Sequence, residues 1–267
     1  MGEKIVLNHH SAAIIPFFID DKGDLHFVFE QKDPGYKKPF FDEGLNGEGG
    51  NYEKGVHKDA SPKVTVVREV SEEFWDAYEA PESLNALLGQ EFIAREPQVV
   101  AKYDDKSVKR LKQAVPILTA GMKYAGSYIM TVQPPITKTE LRYGSSIFVK
   151  ELSKNESGEL EVMIKEFDGK LTTDNLKWGS KISLVSLRQI NERNMKFAWG
   201  YCSVVNALMR NECLPRQPIG VIRPLSLVQV ADMPHLDAAP GLRDANSVPT
   251  YESFENANYS YFVKQKK

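Results

Sequence analysis

From Arg68 to Glu73 the chain reads Arg-Glu-Val-Ser-Glu-Glu, and Asp76 follows three positions later. At about 100° per residue on a helix, Glu69, Glu72, Glu73 and Asp76 share one stripe, and Val66, Val67, Val70, Phe74 and Ala77 share another. Like charges three and four positions apart weaken a helix by roughly 0.2–0.5 kcal/mol per pair, and no lysine interrupts this stripe. A cation is therefore expected on it. Mg²⁺ suits such a place because it prefers hard oxygen ligands and takes a few carboxylates together with water and substrate phosphates. Mn²⁺ is the alternative. Arg68 can reach Glu72 one turn later and orient that carboxylate from behind the metal ligands. Taken by itself, the stripe reads as the solvated face of an amphipathic helix, which is what most charge runs are.

The elements that must hold this helix are legible around it. Residues 12–19 and 25–29 are rich in Ile, Phe and Val, and the turn formers at 20–24 join them as a hairpin. From 32 to 55 glycines interleave with aromatic residues, which predicts a long functional loop carrying Gly49 and Gly50. Ser61 as N-cap and Pro62 as first helical residue start the acidic helix, which is predicted to run to about residue 80. Further on, 82–92 reads as helix, 96–103 as strand, 106–123 as a basic helix, and 128–132 and 145–152 as strands. The Glu-Val-Met-Ile run within 159–164 reads as another strand before the 178–185 segment, and 186–209 fits one or two closing helices. Six prolines between Pro215 and Pro249 mark a change of texture. The expected division is a domain over 1–213 and a proline-rich C-terminal extension over 214–267. Strands alternating with helices predict an α/β architecture.

Together the double glycine at Gly49-Gly50 and the Arg68-to-Glu73 helix resemble the Nudix hydrolase family, whose box is a glycine loop, a Glu and an Arg-Glu-x-x-Glu-Glu helix. The resemblance implies a Nudix-like α/β/α sandwich with a mixed sheet. It implies metal ligands at Glu69, Glu72 and Glu73, a helix-orienting Arg68, and Mg²⁺-dependent hydrolysis of a pyrophosphate bond in a nucleoside diphosphate-linked substrate. Gly49 and Gly50 would let backbone approach the phosphates. The segment Trp178 to Leu187 followed by a helix is similar to the close of such domains. The chain departs from the box in three places: the interval from Gly50 to Arg68 is longer, Asp59 is the nearest acid to the box's middle Glu, and Phe74-Trp75-Asp76 replace its Gly-containing end. These departures admit an alternative, a Nudix-like nucleotide-sensing module without turnover.

Other features bound the reading. With 34 Lys+Arg against 36 Asp+Glu the net charge is -2, so no global field draws nucleic acid or an anionic membrane. The expected partner is a nucleotide-type small molecule, with neither membrane nor nucleic acid. Lys37 and Lys38 beside Tyr36, Phe40 and Phe41 offer a phosphate contact and a stacking platform, or else an ordinary loop whose aromatics pack on the core. His57 is the histidine nearest the box. Cys202 and Cys213 have neither disulfide nor zinc spacing and read as buried thiols. No apolar run reaches membrane-spanning length, so a cytoplasmic protein is expected. The proline-rich tail is a candidate to dock a partner or a second protomer as a homodimer.

Overall fold

The computed structural model describes residues 6–7, 9–32, 44–51, 59, 61–75, 103–132, 141–197, 201–210, 212–215, 217, 235–238 and 260–261. Ten strands are present among them: β1 Val6–Leu7, β2 His9–Ile19, β3 Leu25–Gln31, β4 Leu45–Asn46, β5 Glu48–Asn51, β6 Lys123–Val132, β7 Leu141–Glu151, β8 Lys181–Ser186, β9 His235–Ala238 and β10 Ser260–Tyr261. The acidic helix, α1, spans Pro62–Trp75.

The expected hairpin forms between β2 and β3. The Asp20 carboxylate accepts the Lys22 and Asp24 amides at 2.9 Å each, and Gly23 takes φ +83°, so the turn formers close the loop. The main sheet runs in the order β4-β3-β2-β7-β6-β9, with β8 also on β3 and β5 also on β2. Strand β2 is its hub. It is parallel to β7, antiparallel to β3 at residues 17–19, and antiparallel to β5 at residues 11–14. The sheet is therefore mixed. Strand β9, from the proline-rich extension, adds to its edge beside β6, and β10 pairs with β1 in a separate two-stranded sheet.

Alternation along the strands sorts the core into two layers. Ala13, Ile15, Phe17, Phe27, Phe29, Ile147 and Val149 point to one face, where the helices Leu187–Glu192 and Tyr201–Arg210 cover them. Ala12, Ile14, Val28 and Phe148 point to the other, against α1 and the helices Asp105–Lys112, Ala114–Thr119 and Lys154–Glu166. The result is an α/β/α sandwich with a mixed sheet: the alternation of elements predicted the α/β class, and the resemblance implied the sandwich.

Several boundaries differ from the sequence reading. The run at 159–164 is not a strand: it lies inside the helix Lys154–Glu166, started by a capping box between Ser153 and Glu156. Ser157, Leu160 and Met163, each three apart, are its buried residues, so helical periodicity prevails over the local β-branched run. The basic helix at 106–123 is two helices divided at Gln113, and β6 begins at Lys123 rather than Tyr128. Strand β7 likewise begins at Leu141 rather than Ser145. The 178–185 segment divides between the end of the helix Thr173–Trp178, left-handed Gly179, and β8. The predicted helix at 82–92, the predicted strand at 96–103 except for Tyr103, and the end of α1 beyond Trp75 lie outside the described residues. Cys202 is buried and Cys213 half-buried, and neither is in a disulfide.

Candidate active site

Ser61 caps α1 by accepting the Val64 amide at 3.3 Å, with Pro62 as the first helical residue. Val66, Val67, Val70 and Phe74 anchor the apolar stripe in the sheet's core, which aims the acidic stripe along strand β5. In β5, Gly50 lies opposite Ala12 and Glu48 opposite Ile14, so both face α1 while Gly49 faces away. Two residues of strand advance about 6.6 Å and four residues of helix about 6 Å. The two repeats match, and so Gly50 meets Glu69 and Glu48 meets Glu73.

The two glycines serve different ends. A Cβ on Gly50 would overlap the Glu69 carboxylate. Gly49 has φ +144°, and a Cβ there would overlap the backbone of Ala12 and Ala13. Gly50 thus makes room for a functional side chain, and Gly49 seats β5 against β2.

Arg68 is 1% exposed and is the largest fully buried side chain among the described residues. Its Nε and Nη2 donate to the two oxygens of Asp59 at 2.9 Å each, and Nη2 also donates to the Asn51 carbonyl at 2.7 Å. Nη1 reaches Glu72 Oε2 at 3.2 Å and Glu69 Oε1 at 2.9 Å. Asp59 is itself buried and accepts from the Thr65 hydroxyl at 3.0 Å. The bidentate fork fixes the guanidinium plane, and the free edge of that plane then holds the two glutamates. The acid nearest to the place of the box's middle Glu is therefore the one that locks Arg68.

The third glutamate faces a different neighbourhood. The Glu73 and Glu48 carboxyl groups hydrogen-bond one another, which requires one of them to carry a proton. Glu30, on β3, is close enough to act on both, and it is paired with Lys32. Glu30 also accepts from Ser180 at 2.5 Å and from Asn175 at 3.4 Å. Sequence reasoning missed Glu30, Lys32 and Glu48. The detectable signal was period-two alternation in Glu48-Gly49-Gly50, which puts Glu48 on the face of Gly50 once that segment is taken as strand.

The electrostatics follow from burial and crowding. Burial, with the Glu72 charge adding to it, pushes Glu69 up to about 7 against the pull of Arg68. Burial and then the Glu30 charge push Glu48 up to about 8. Burial, then the charges of Glu48 and Glu30, hold Glu73 well above the usual carboxylate range. Burial alone would lower Lys32, but the adjacent Glu30 carboxylate reverses this and raises it. The Tyr201 phenol is raised by burial and by the same carboxylates. A divalent cation would relieve this crowding, and the donors are all hard carboxylate oxygens, so the residues fit Mg²⁺ or Mn²⁺ by chemical type. Among the described residues no three His, Cys, Asp or Glu side chains already stand as a metal-holding group. Glu69 and Glu72 are turned toward Arg68, and Glu73 toward Glu48.

Of the residues singled out from sequence, Arg68, Glu69, Glu72, Glu73, Gly49 and Gly50 come together here. Lys37, Lys38, Tyr36, Phe40, Phe41 and His57 lie outside the described residues. No helix among the described residues is long and apolar enough to cross a membrane.

No family model matches the chain, and no curated protein does. Solved structures do. The chain is similar to the NUDIX domain of Shewanella oneidensis NrtR, crystallised with ADP ribose, at 13% identity and a TM-score of 0.40, covering 79% of this chain and 91% of that one. It is similar to the Nudix hydrolase RenU of M. smegmatis at 10% identity and a TM-score of 0.30, covering 71% and 76%. It is also similar to a NUDIX hydrolase from Alicyclobacillus acidocaldarius at 12% identity and a TM-score of 0.37, covering 81% and 98%. At these scores the likeness is one of outline, and the functional reading rests on α1 and its partners.

Proposed function

We propose that the chain is a divalent-cation-dependent hydrolase of the Nudix type, cleaving the pyrophosphate bond of a nucleoside diphosphate-linked substrate. The observation that carries this reading is the arrangement of α1: three glutamates on one stripe, two of them held by a buried Arg68–Asp59 pair, against a glycine that leaves room for Glu69. When bound, Mg²⁺ or Mn²⁺ would neutralise phosphate oxygens and lower the pKa of a water for attack on phosphorus. Glu69, Glu72 and Glu73 would hold it. Arg68 fixes the rotamers of Glu69 and Glu72, so two ligands are ordered before substrate arrives. Gly50 lets the Glu69 carboxylate lie against the backbone of β5, so this ligand is seated beside the strand.

The test is release of nucleotide or phosphate from a panel of ADP-ribose, dinucleoside polyphosphates, nucleotide sugars and nucleoside triphosphates, with and without Mg²⁺. Activity that survives both Glu72→Gln and Glu73→Gln would refute the reading.

A second reading is favoured by one observation, the absence among the described residues of a preassembled metal-holding group. In it the domain binds a nucleotide without turning it over. Saturable binding by calorimetry, with no hydrolysis at high protein concentration, would establish that reading in place of the first.

A further inference from the structure

Glu48 stands on β5 at the one position whose side chain is directed by strand register at Glu73. It is 2% exposed, and among the described residues its Oε1 has no hydrogen-bond partner. The neighbouring Glu30 is differently placed: Lys32, Ser180 and Asn175 satisfy it. The pocket behind α1 therefore holds one carboxylate with its own donors and two that face each other. The contact between Glu48 and Glu73 leaves Glu48 Oε1 bare. A divalent cation on the α1 stripe at Glu73 accounts for that oxygen as well, since a carboxylate can offer both oxygens to a metal.

We propose that Glu48 supplies a further carboxylate to the divalent cation carried by α1, entering the seat from strand β5 opposite Glu73. The proposal rests on the cation-dependent reading above. It makes the seat two-sided, with Glu69, Glu72 and Glu73 from the helix and Glu48 from the sheet.

The experiment is Mn²⁺ titration of the full chain, free Mn²⁺ being read by electron paramagnetic resonance, for the wild type, Glu48→Gln and Glu72→Gln. Circular dichroism melts without metal serve as the folding control. Glu48→Gln keeps the shape of the side chain and removes a crowded charge, so its metal-free melting temperature is expected to equal or exceed that of the wild type. Its Mn²⁺ affinity is expected to fall by about tenfold or more, the usual cost of losing a metal-site partner. Should Glu48→Gln fail to fold, Glu48→Ala carries the same comparison. Unchanged Mn²⁺ affinity in a folded Glu48 variant, with affinity lost in Glu72→Gln, overturns this proposal alone. A wild type that binds no Mn²⁺ overturns both it and the reading beneath it.

Discussion

Replacing Arg68 with methionine would remove the centre of the site while keeping much of the side chain's volume. The guanidinium has an oxygen within 3.2 Å of each nitrogen, from Asp59, Asn51, Glu69 and Glu72. Asp59 is 3% exposed and accepts from Arg68 through both of its oxygens, so the variant takes away both charge-assisted bonds and the guanidinium charge beside it. Stranding one member of a buried ion pair costs about 3–5 kcal/mol, against about 0–1 kcal/mol for an exposed pair. At roughly 2–4 °C per kcal/mol for a domain of this size, the melting temperature is expected to fall by about 6–20 °C. The double variant Asp59→Asn with Arg68→Met should recover part of this loss, because no uncompensated charge remains buried. The assay is thermal unfolding by circular dichroism of the wild type, both single variants and the double. A loss below about 1 kcal/mol in Arg68→Met would refute the claim that this pair is buried and organises the helix.

Three further outcomes follow from the same geometry. Gly50→Ala should leave the melting temperature close to that of the wild type, because the Glu69 side chain can swing away, yet weaken Mg²⁺ binding measured by calorimetry. Gly49→Ala should instead destabilise by about 1–3 kcal/mol in urea unfolding, because φ +144° and the Ala12 backbone leave no room to relax. Glu69 carries a folded-state pKa of about 7 against an ordinary value of 4.5, so the unfolded chain gives up its proton first. The resulting stability is fully present below about pH 4.5 and is lost as pH rises through about 7. Melting temperatures of the metal-free protein should therefore decline across that window, and saturating Mg²⁺ should flatten the decline; a metal-free profile that rises with pH there would contradict the crowding at Glu69.

The acidic helix was legible because each part of its signal is local: Ser61-Pro62 at its start, a valine stripe on one side and glutamates on the other. The hairpin before it was legible for the same reason, with turn formers between two runs of strand residues. What escaped depends on pairing across the chain. Asp59 could be named as the nearest acid, but its bidentate grip on Arg68 depends on how the segment after β5 returns to the helix. Glu48 and Glu30 look like ordinary surface acids until β5 and β3 are placed beneath α1, where register turns both inward. The run at 159–164 was misjudged because Val-Met-Ile has strand character locally, whereas the capping box six residues earlier and the spacing of Leu160 and Met163 determine the helix. The proline-rich extension gave no periodic signal, and it contributes β9 to the sheet edge through backbone pairing with β6.

The central claim is that the glutamates of α1 would hold a divalent cation and that the protein, with it bound, hydrolyses a pyrophosphate bond. Its most direct measurement is hydrolysis of the nucleotide panel by the wild type and by Glu69→Gln, Glu72→Gln and Glu73→Gln, each with Mg²⁺ and with chelator. The account predicts cleavage of at least one diphosphate-linked nucleotide by the wild type, abolished by chelator and reduced by about 10²-fold or more in the variants, a loss of roughly 3 kcal/mol in transition-state stabilisation. Cleavage that persists in chelator, or that is undiminished in all three folded variants, would contradict it.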